Sequence, residues 1–341
     1  MKTIRLEQPN HFSLIDTQAP TEWDAHHTLV RVRRVGICGT DYHAFKGVQP
    51  FFSYPRILGH ELAVEVVQPD PHSTLTVGDI CAVRPYLHCG DCVACRRGIT
   101  NACTKMQVMG VHQDGGMREY LVVPTAQLHP THELAWDEVA LIEMLAIGAH
   151  AVRRASLTPA ENVLVIGAGP IGMATAQFAR AAGATVAILD INPTRLAFCS
   201  QTMHFEHCLP HHTLADSQAR LLELFKDELP TVVFDATGNR ASMQESFQYV
   251  AHGGKLVWVG LVKDDITFHD PHFHSREMTL FASRNATAGD FDRVIALLQS
   301  GAVSLTGWIT HSATAETFIT QFKDWLNPAS GVIKAVLRFD D

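Results

Sequence analysis

Hydrophobic and polar positions divide the chain into two kinds of region. Residues 28–36 and 61–67 alternate between apolar and polar side chains with period two, which is typical of strands with one buried face. From about residue 160 the pattern changes to short apolar runs followed by glycines and a helix. These runs cover 162–166, 184–189, 231–235 and 255–259. Strands that alternate with helices at this spacing predict βαβ units and a parallel sheet.

The two patterns predict an α/β protein with two domains, because 341 residues exceed one ordinary core. A doubly wound parallel sheet is expected over residues 148–285. A β-rich domain is expected over 1–147, completed by 286–341, where 290–299 reads as a helix and 332–339 as a closing strand.

Composition and charge exclude several classes of partner. The formal net charge of -8 provides no basic stripe for nucleic acid. No apolar run approaches the ~18 residues of a membrane span, so no membrane partner is expected. The N-terminal residues alternate like a strand and lack the apolar core of a signal peptide. We therefore expect a cytoplasmic protein.

A glycine-rich turn follows the first apolar run of the predicted parallel sheet. Gly167, Gly169 and Gly172 form a GxGxxG motif between a strand and a helix, and Asp190 ends the next strand. These glycines permit a tight turn, close approach to a pyrophosphate and helix–strand packing. A carboxylate at position 190 accepts ribose hydroxyls and repels a 2′-phosphate, which favours NAD over NADP. Arg195 either stacks on the adenine or is a solvated helix residue. The other expected cofactor residues are Pro170, Ile171 and Gly260.

Four cysteines lie close together at Cys89, Cys92, Cys95 and Cys103. In a chain without an export signal such a cluster favours metal over disulfides. Four thiolates suit a closed, tetrahedral, structural zinc site. An iron–sulfur cluster also uses four cysteines, but the dinucleotide motif of a dehydrogenase argues against it.

A second set of potential zinc ligands is spread over three segments. Cys38 lies in a Gly-rich segment, His60 and Glu61 follow Gly59, and Glu143 follows an apolar pair. A catalytic zinc needs about three protein ligands and one position open to water or substrate. Each of these residues is weak evidence alone, and their joint occurrence with the other two motifs gives them weight.

The motifs together resemble the medium-chain, zinc-dependent alcohol dehydrogenase family over essentially the whole length. The segments that carry the resemblance are 36–43, 59–61, 89–103, 114–120 and 167–172. The family implies a GroES-like catalytic domain beside the Rossmann domain, and two zinc ions per chain. Within the family the chain is most similar to sorbitol (polyol), threonine and sugar-acid (galactonate-type) dehydrogenases, which carry a glutamate where Glu143 stands. Many of these relatives have Glu-Pro at this point, whereas this chain has Glu143-Met144.

The resemblance also implies a role for each candidate in the catalytic domain. Cys38 and His60 are expected to bind the catalytic zinc, with Glu143 as third ligand, directly or through water. Glu61 is a further possible ligand that enters when water or substrate exchanges. Asp41 is expected to accept the other N–H of the His60 ring.

Proton transfer and substrate binding are assigned in the same way. Thr40 and His43 resemble the relay that carries the hydroxyl proton to solvent. His112 is expected to hydrogen-bond a substrate hydroxyl, and Arg284 to pair with a substrate carboxylate, although a cofactor or structural arginine is an equal alternative. Four aromatic residues lie in a segment that borders the substrate cleft in relatives, and each either shapes the pocket or packs in the core: Phe45, Phe51, Phe52 and Tyr54.

The predicted function is oxidation of a secondary hydroxyl of a small, hydrophilic polyol or sugar acid to a ketone, with zinc and NAD. A ligand set with one thiolate and one carboxylate leaves zinc a harder Lewis acid, which suits oxygen-rich substrates. The alternatives are a threonine-type amino-alcohol dehydrogenase and a zinc-stabilised NAD-binding regulator with vestigial catalysis. A zinc-free quinone reductase is disfavoured because such relatives lack both metal sets. By analogy with the family, a homodimer or homotetramer is expected.

Overall fold

The computed structural model describes residues 1–49 and 52–340, so Phe51 lies outside the described residues. The chain forms two compact units, Met1–Glu143 with Ala286–Asp341, and Met144–Asn285. The domain limits expected from the sequence, 1–147 and 148–285, stay a prediction. None of the described helices is long and apolar enough to cross a bilayer.

The helices and strands are numbered in chain order. The strands are β1 (Lys2–Gln8), β2 (His11–Asp16), β3 (His27–Gly36), β4 (Glu61–Gln68), β5 (Ile80–Val83), β6 (Tyr86–Leu87), β7 (Gln107–Val108), β8 (Tyr120–Pro124), β9 (Leu128–Pro130), β10 (Asn162–Ile166), β11 (Thr185–Asp190), β12 (His207–Pro210), β13 (Val232–Asp235), β14 (Lys255–Trp258), β15 (Thr279–Ala282), β16 (Ile309–Thr314) and β17 (Lys334–Arg338). The helices are α1 (Gly39–Phe45), α2 (Val93–Arg96), α3 (Trp136–Ala140), α4 (Ile142–Ala155), α5 (Pro170–Ala181), α6 (Pro193–Gln201), α7 (Leu214–Leu224), α8 (Arg240–Glu245), α9 (Asp270–Ser275), α10 (Ala288–Gln299) and α11 (Phe318–Trp325).

The unit Met144–Asn285 is built on a six-stranded sheet in the order β12-β11-β10-β13-β14-β15. Every neighbouring pair of these strands is parallel, which confirms the predicted doubly wound sheet. The four strands predicted here are present, and β12 and β15 are two more that the prediction lacks. The strand order reverses between β10 and β13, and ligands of such sheets bind at this reversal.

The unit that contains the N-terminus has a seven-stranded sheet, ordered β16-β17-β3-β4-β5-β9, with β8 paired to β3. The predicted strands over 28–36, 61–67 and 332–339 are confirmed as β3, β4 and β17. In the register, Gly36 at the end of β3 lies opposite Glu61 of β4 and Val336 of β17. The end of β3 and the start of β4 therefore meet beside β17, where the catalytic candidates begin.

Aromatic packing holds α1 against β2 and α11 of the same unit. Phe45 at the end of α1 stacks on Phe12 with ring centroids 5.3 Å apart, and contacts Phe322 of α11 at 5.2 Å. Phe318 completes the cluster, and all four rings belong to one buried core. Large buried rings dominate core energetics, so they fix the position of the short helix that follows Cys38.

Candidate metal and dinucleotide sites

Cys38 is positioned by the start of α1. It is the residue before the helix, and its N–H donates to Oδ2 of Asp41 at 2.8 Å, as in a capping box. The preceding N–H, of Ile37, bonds Ala335 O of β17 at 2.9 Å. These two hydrogen bonds fix the backbone at Cys38, so that its thiol is held at the end of β3.

The turn that carries His60 and Glu61 is supported by the segment 115–117. Gly116 N–H donates to Gly59 O at 2.9 Å, and Met117 N–H donates to Leu58 O at 2.9 Å. A Cβ on Gly115 would lie 2.3 Å from Gly59 O, so only glycine permits this approach. The motif Asp114–Met117 therefore shapes the turn before His60.

Cys38, His60 and Glu61 come together as a potential metal site. Each offers one ligand atom, and these atoms all lie within 4.8 Å of one another. Glu61 is fully buried and packs so closely on Gly36 that a Cβ there would lie 2.1 Å from its Oε2. Thiolate, imidazole and carboxylate are the three ligand types that zinc accepts.

Lys334 of β17 is a residue of this site that the sequence prediction lacks. Its Nζ donates to Oε1 of Glu61 at 2.6 Å, and both side chains are almost completely buried. The two residues are 273 positions apart, so no local pattern reveals the pair. The ammonium compensates the negative charge of the buried carboxylate.

Among the described residues, Glu143 lies beside the group formed by Cys38, His60 and Glu61 but does not belong to it. It is buried in the first turn of α4, where Tyr86 O–H donates to its Oε1. Burial raises the pKa of Glu143 to about 7. Burial, reinforced by the charge of Glu143, also raises the pKa of Tyr86 well above its usual value.

The predicted hydrogen bond between Asp41 and His60 is wrong for this structure. Oδ2 of Asp41 accepts the Cys38 N–H, because the side chain caps α1. Oδ1 of Asp41 and Nδ1 of His60, both buried, have no hydrogen-bond partner among the described residues. Oε2 of Glu143 is a third such atom. Buried polar atoms without partners are rare, and those of His60 and Glu143 suit a metal ion or its ligands.

Thr40 and His43 lie on the same face of α1, three residues apart. Thr40 is half-buried and its Oγ1 is 3.7 Å from Sγ of Cys38, whereas His43 is exposed. The two side chains therefore run from the metal cluster toward solvent.

The four-cysteine segment brings its sulfur atoms together. The Cys92–Cys95 and Cys89–Cys103 sulfurs are 3.5 Å apart, and the Cys89–Cys95 sulfurs 4.0 Å. Four ligands at 2.3 Å in a tetrahedron would be about 3.8 Å apart, so the spacing fits zinc. Backbone N–H groups of Cys95 and Thr104 lower the pKa of the Cys92 thiol to about 5, which favours the thiolate that metals bind.

The glycine turn after β10 has the close contacts expected of a dinucleotide site. Gly167 adopts φ 98°, and a Cβ on Gly172 would lie 1.7 Å from Gly167 O. Gly169 precedes α5 without a side-chain cap, and Pro170 and Ile171 form the first turn of that helix. Free N–H groups at such a helix start bind phosphate.

Asp190 ends β11 beside this turn. Its Oδ2 accepts the Ala168 N–H at 2.5 Å and its Oδ1 the Asn192 N–H at 2.7 Å. Each carboxylate oxygen has two lone pairs, so acceptor capacity remains for ribose hydroxyls. Gly260, which follows β14, lies very close to Gly238. A Cβ on Gly260 would be 2.3 Å from the backbone nitrogen of Gly238.

A cavity of about 470 Å³ opens next to Gly167 and Asp190. Arg195 lines it, and its Nη1 would be the nearest atom, at 3.9 Å, to a Cβ on Gly169. His211 and Glu245 line its other end, and neither was expected from the sequence. All of its lining residues belong to the unit Met144–Asn285.

The two substrate candidates lie in different units. His112 is half-buried in the unit with the metal cluster, and its Nδ1 accepts the Val108 N–H at 3.0 Å. That bond places the ring proton of neutral His112 on Nε2, which can donate. Arg284 is exposed in the other unit, two residues after β15.

Two family models match the chain. "Alcohol dehydrogenase GroES-like domain" matches residues 24–133, and "Zinc-binding dehydrogenase" matches residues 170–300.

Curated relatives extend the similarity to the full length. The chain is 41% identical over 341 residues to L-galactonate-5-dehydrogenase of Escherichia coli (strain K12), with 99% of each chain covered. It is 30% identical to L-arabinitol 4-dehydrogenase of Hypocrea jecorina, covering 91% of this chain and 84% of that protein.

Solved structures share the fold. The alcohol dehydrogenase rspB from Escherichia coli CFT073, in complex with NADH, superimposes with a TM-score of 0.91 at 29% identity, covering 99% of each chain. A putative zinc-binding dehydrogenase from Sinorhizobium meliloti 1021, bound to NADP, gives 0.88 at 25% identity, again covering 99% of each.

Proposed function

Because the chain belongs to the medium-chain, zinc-dependent alcohol dehydrogenase family, we propose that it oxidises a secondary hydroxyl of a small polyol or sugar acid to a ketone. The observation that carries this function is the group formed by Cys38, His60 and Glu61, whose ligand atoms lie within 4.8 Å of one another. The cofactors are zinc and NAD, as in the family.

The metal has two sites in the chain. Cys38 and His60 hold the catalytic zinc, with Glu61 as a possible ligand and Glu143 as third ligand, directly or through water. The four cysteines of residues 89–103 hold the structural zinc, and their sulfur spacing supports this assignment. When bound, zinc supplies the Lewis acid that lowers the pKa of the substrate hydroxyl, and NAD supplies the hydride acceptor.

Two residues of α1 carry the proton of the substrate hydroxyl to solvent. The Thr40 hydroxyl, near the Cys38 thiol, receives the proton of the substrate hydroxyl, and the exposed His43 passes it to water. Imidazole side chains commonly act as proton shuttles between a buried group and water.

The cofactor is held by the turn after β10. Backbone N–H groups at the start of α5 bind the pyrophosphate, with Gly167, Gly169 and Gly172 allowing its approach. Asp190 accepts the ribose hydroxyls, which favours NAD over NADP. Arg195 and Gly260 complete the proposed cofactor residues.

Two observations favour a sugar acid as substrate. The relative at 41% identity is an L-galactonate-5-dehydrogenase, and galactonate carries a carboxylate. Arg284 is an exposed guanidinium in a segment that reaches the substrate in polyol dehydrogenases, and this group pairs well with carboxylates. His112 donates from Nε2 to a substrate hydroxyl.

A screen of NAD⁺ reduction against aldonates, neutral polyols, aldoses and L-threonine tests the proposal. We expect the highest kcat/KM with an aldonate or polyol. Activity confined to L-threonine would favour the amino-alcohol alternative, and no activity with a protein that contains two zinc ions would favour the regulator.

The role of Arg284 is tested separately. Arg284→Ala should lower kcat/KM for aldonates by at least about tenfold more than for polyols, because only the acids lose a charged partner. Arg220→Ala, an arginine on α7 of the same unit, serves as control. Equal losses for both substrate classes would contradict the carboxylate assignment.

A homodimer or homotetramer and a cytoplasmic location stay predictions from the sequence. Light scattering on the purified protein measures the first.

A further inference from the structure

The dinucleotide cavity has a second polar end that the glycine motif and Asp190 do not explain. Glu245, the last residue of α8, and His211, just after β12, both line it. Their side chains are 31% and 26% exposed, so both keep access to the cavity. Groups at this depth interact with a ligand more strongly than groups on an open surface.

The Glu245 carboxylate is oriented by one hydrogen bond and by a contact with an imidazole. Tyr249 O–H donates to its Oε1, and Nε2 of His211 lies 3.6 Å from the same oxygen. The other ring nitrogen of His211 is 3.0 Å from Oγ of Ser217, which fixes the imidazole. Both contacts of the carboxylate therefore fall on Oε1, and Oε2 keeps its acceptor capacity.

An apolar surface lies at the same cavity. Ile191 follows Asp190 directly, lines the cavity and is 79% exposed, although it is a large hydrophobic residue. A flat ring that covered Ile191 would remove this apolar area from water. The cavity thus combines, in one unit, a ribose acceptor, an apolar platform and a fixed carboxylate.

We propose that Glu245, oriented by His211 and Tyr249, reads the edge of the cofactor base and selects adenine. Adenine presents its N6 amine as a donor, which a carboxylate accepts. Hypoxanthine presents a carbonyl oxygen at the same position, and this oxygen would face the Glu245 carboxylate acceptor to acceptor. The inference rests on the NAD dependence of the proposed function and adds a base-specificity residue to it.

Binding of mononucleotides tests the proposal without turnover. Calorimetry on the full-length protein should give an AMP affinity at least about tenfold higher than that for IMP, since hypoxanthine leaves a charged acceptor unpaired. Glu245→Gln should reduce this preference to about threefold or less, because its amide can donate to the hypoxanthine oxygen. The glutamine can still accept from Tyr249, and thermal unfolding verifies that the variant folds.

Glu223→Gln, which changes an exposed carboxylate on α7, is the matched control and should keep the wild-type preference. The same ratios are expected for Kd of NADH and its hypoxanthine analogue by fluorescence titration. Equal AMP and IMP affinities in the wild type, or an unchanged preference in Glu245→Gln, would overturn the proposal. NAD-linked turnover in the substrate screen would in that case still support the dehydrogenase, so the two failures are distinguishable.

Discussion

At the scale of single residues, Glu61 has two kinds of neighbour. It lies in the group with Cys38 and His60, and it forms an ion pair with Lys334. The pair is buried, with side chains 1% and 2% exposed. Breaking a buried pair leaves one charge without compensation, which costs more than the intact pair contributes. Lys334 therefore holds the carboxylate in place beside the thiol and the imidazole.

Lys334→Met should lower the free energy of unfolding by about 3–5 kcal/mol, because it leaves the Glu61 carboxylate buried and unpaired. Lys334→Arg keeps the charge and should lose less. The measurement is urea unfolding, followed by circular dichroism at constant zinc concentration. A methionine variant as stable as the wild type would show that the ion pair does not hold Glu61 in place.

The sequence predicted residue chemistry better than residue contacts. Cys38, His60 and Glu61 were found as ligand types in short motifs, and the structure brings them together. Lys334 was missed because its partner is 273 positions away. Asp41 was assigned to His60 because carboxylates often orient ligating histidines, but its side chain caps α1. Local helix chemistry can occupy one oxygen of a carboxylate that sequence reasoning assigns to a distant partner.

At the scale of elements, strands with a clear apolar pattern were predicted, and two edge strands of the parallel sheet were not. β3 and β10 have clear apolar patterns and were expected. β12 and β15 have four residues each, and β12 begins with histidine and ends with proline, which hides the strand pattern. In the structure these two strands form the edges of the parallel sheet. An edge strand is less buried than a central one, so it needs fewer apolar residues.

The segment of the four cysteines has little structure of its own. Between Cys89 and Cys103 it contains only α2, of four residues, and a short 3-10 turn. Such a segment cannot bury a core, so we expect its order to depend on bound metal.

Cys95→Ser should therefore reduce the zinc content from two ions per chain to about one. Trypsin should then cleave faster after Arg96, Arg97 or Lys105, which are exposed. Metal analysis and mass spectrometry of the digest measure the two effects. Cys208→Ser, a half-buried cysteine outside the segment, should change neither. Unchanged zinc content and cleavage in Cys95→Ser would contradict a structural zinc here.

At the scale of the whole molecule, the potential metal ligands and the dinucleotide turn belong to different compact units. Both groups of potential metal ligands lie in the unit Met1–Glu143 with Ala286–Asp341. The dinucleotide turn and its cavity lie in Met144–Asn285, which has a hydrophobic core of its own. The hydrophobic pattern changes near residue 160, which lies inside the unit Met144–Asn285.

Removing zinc should abolish NAD-linked turnover and leave nucleotide binding intact. Dialysis against a chelator should reduce NAD-linked turnover to background, because the Lewis acid is lost. The affinity for AMP should change by less than about threefold, since every residue that lines the cavity belongs to the unit that contains neither group of potential metal ligands found among the described residues. Calorimetry with AMP and a turnover assay on the same samples provide the comparison, and added zinc should restore turnover. A loss of AMP binding in proportion to the zinc removed would show that the nucleotide cavity depends on the metal-binding unit.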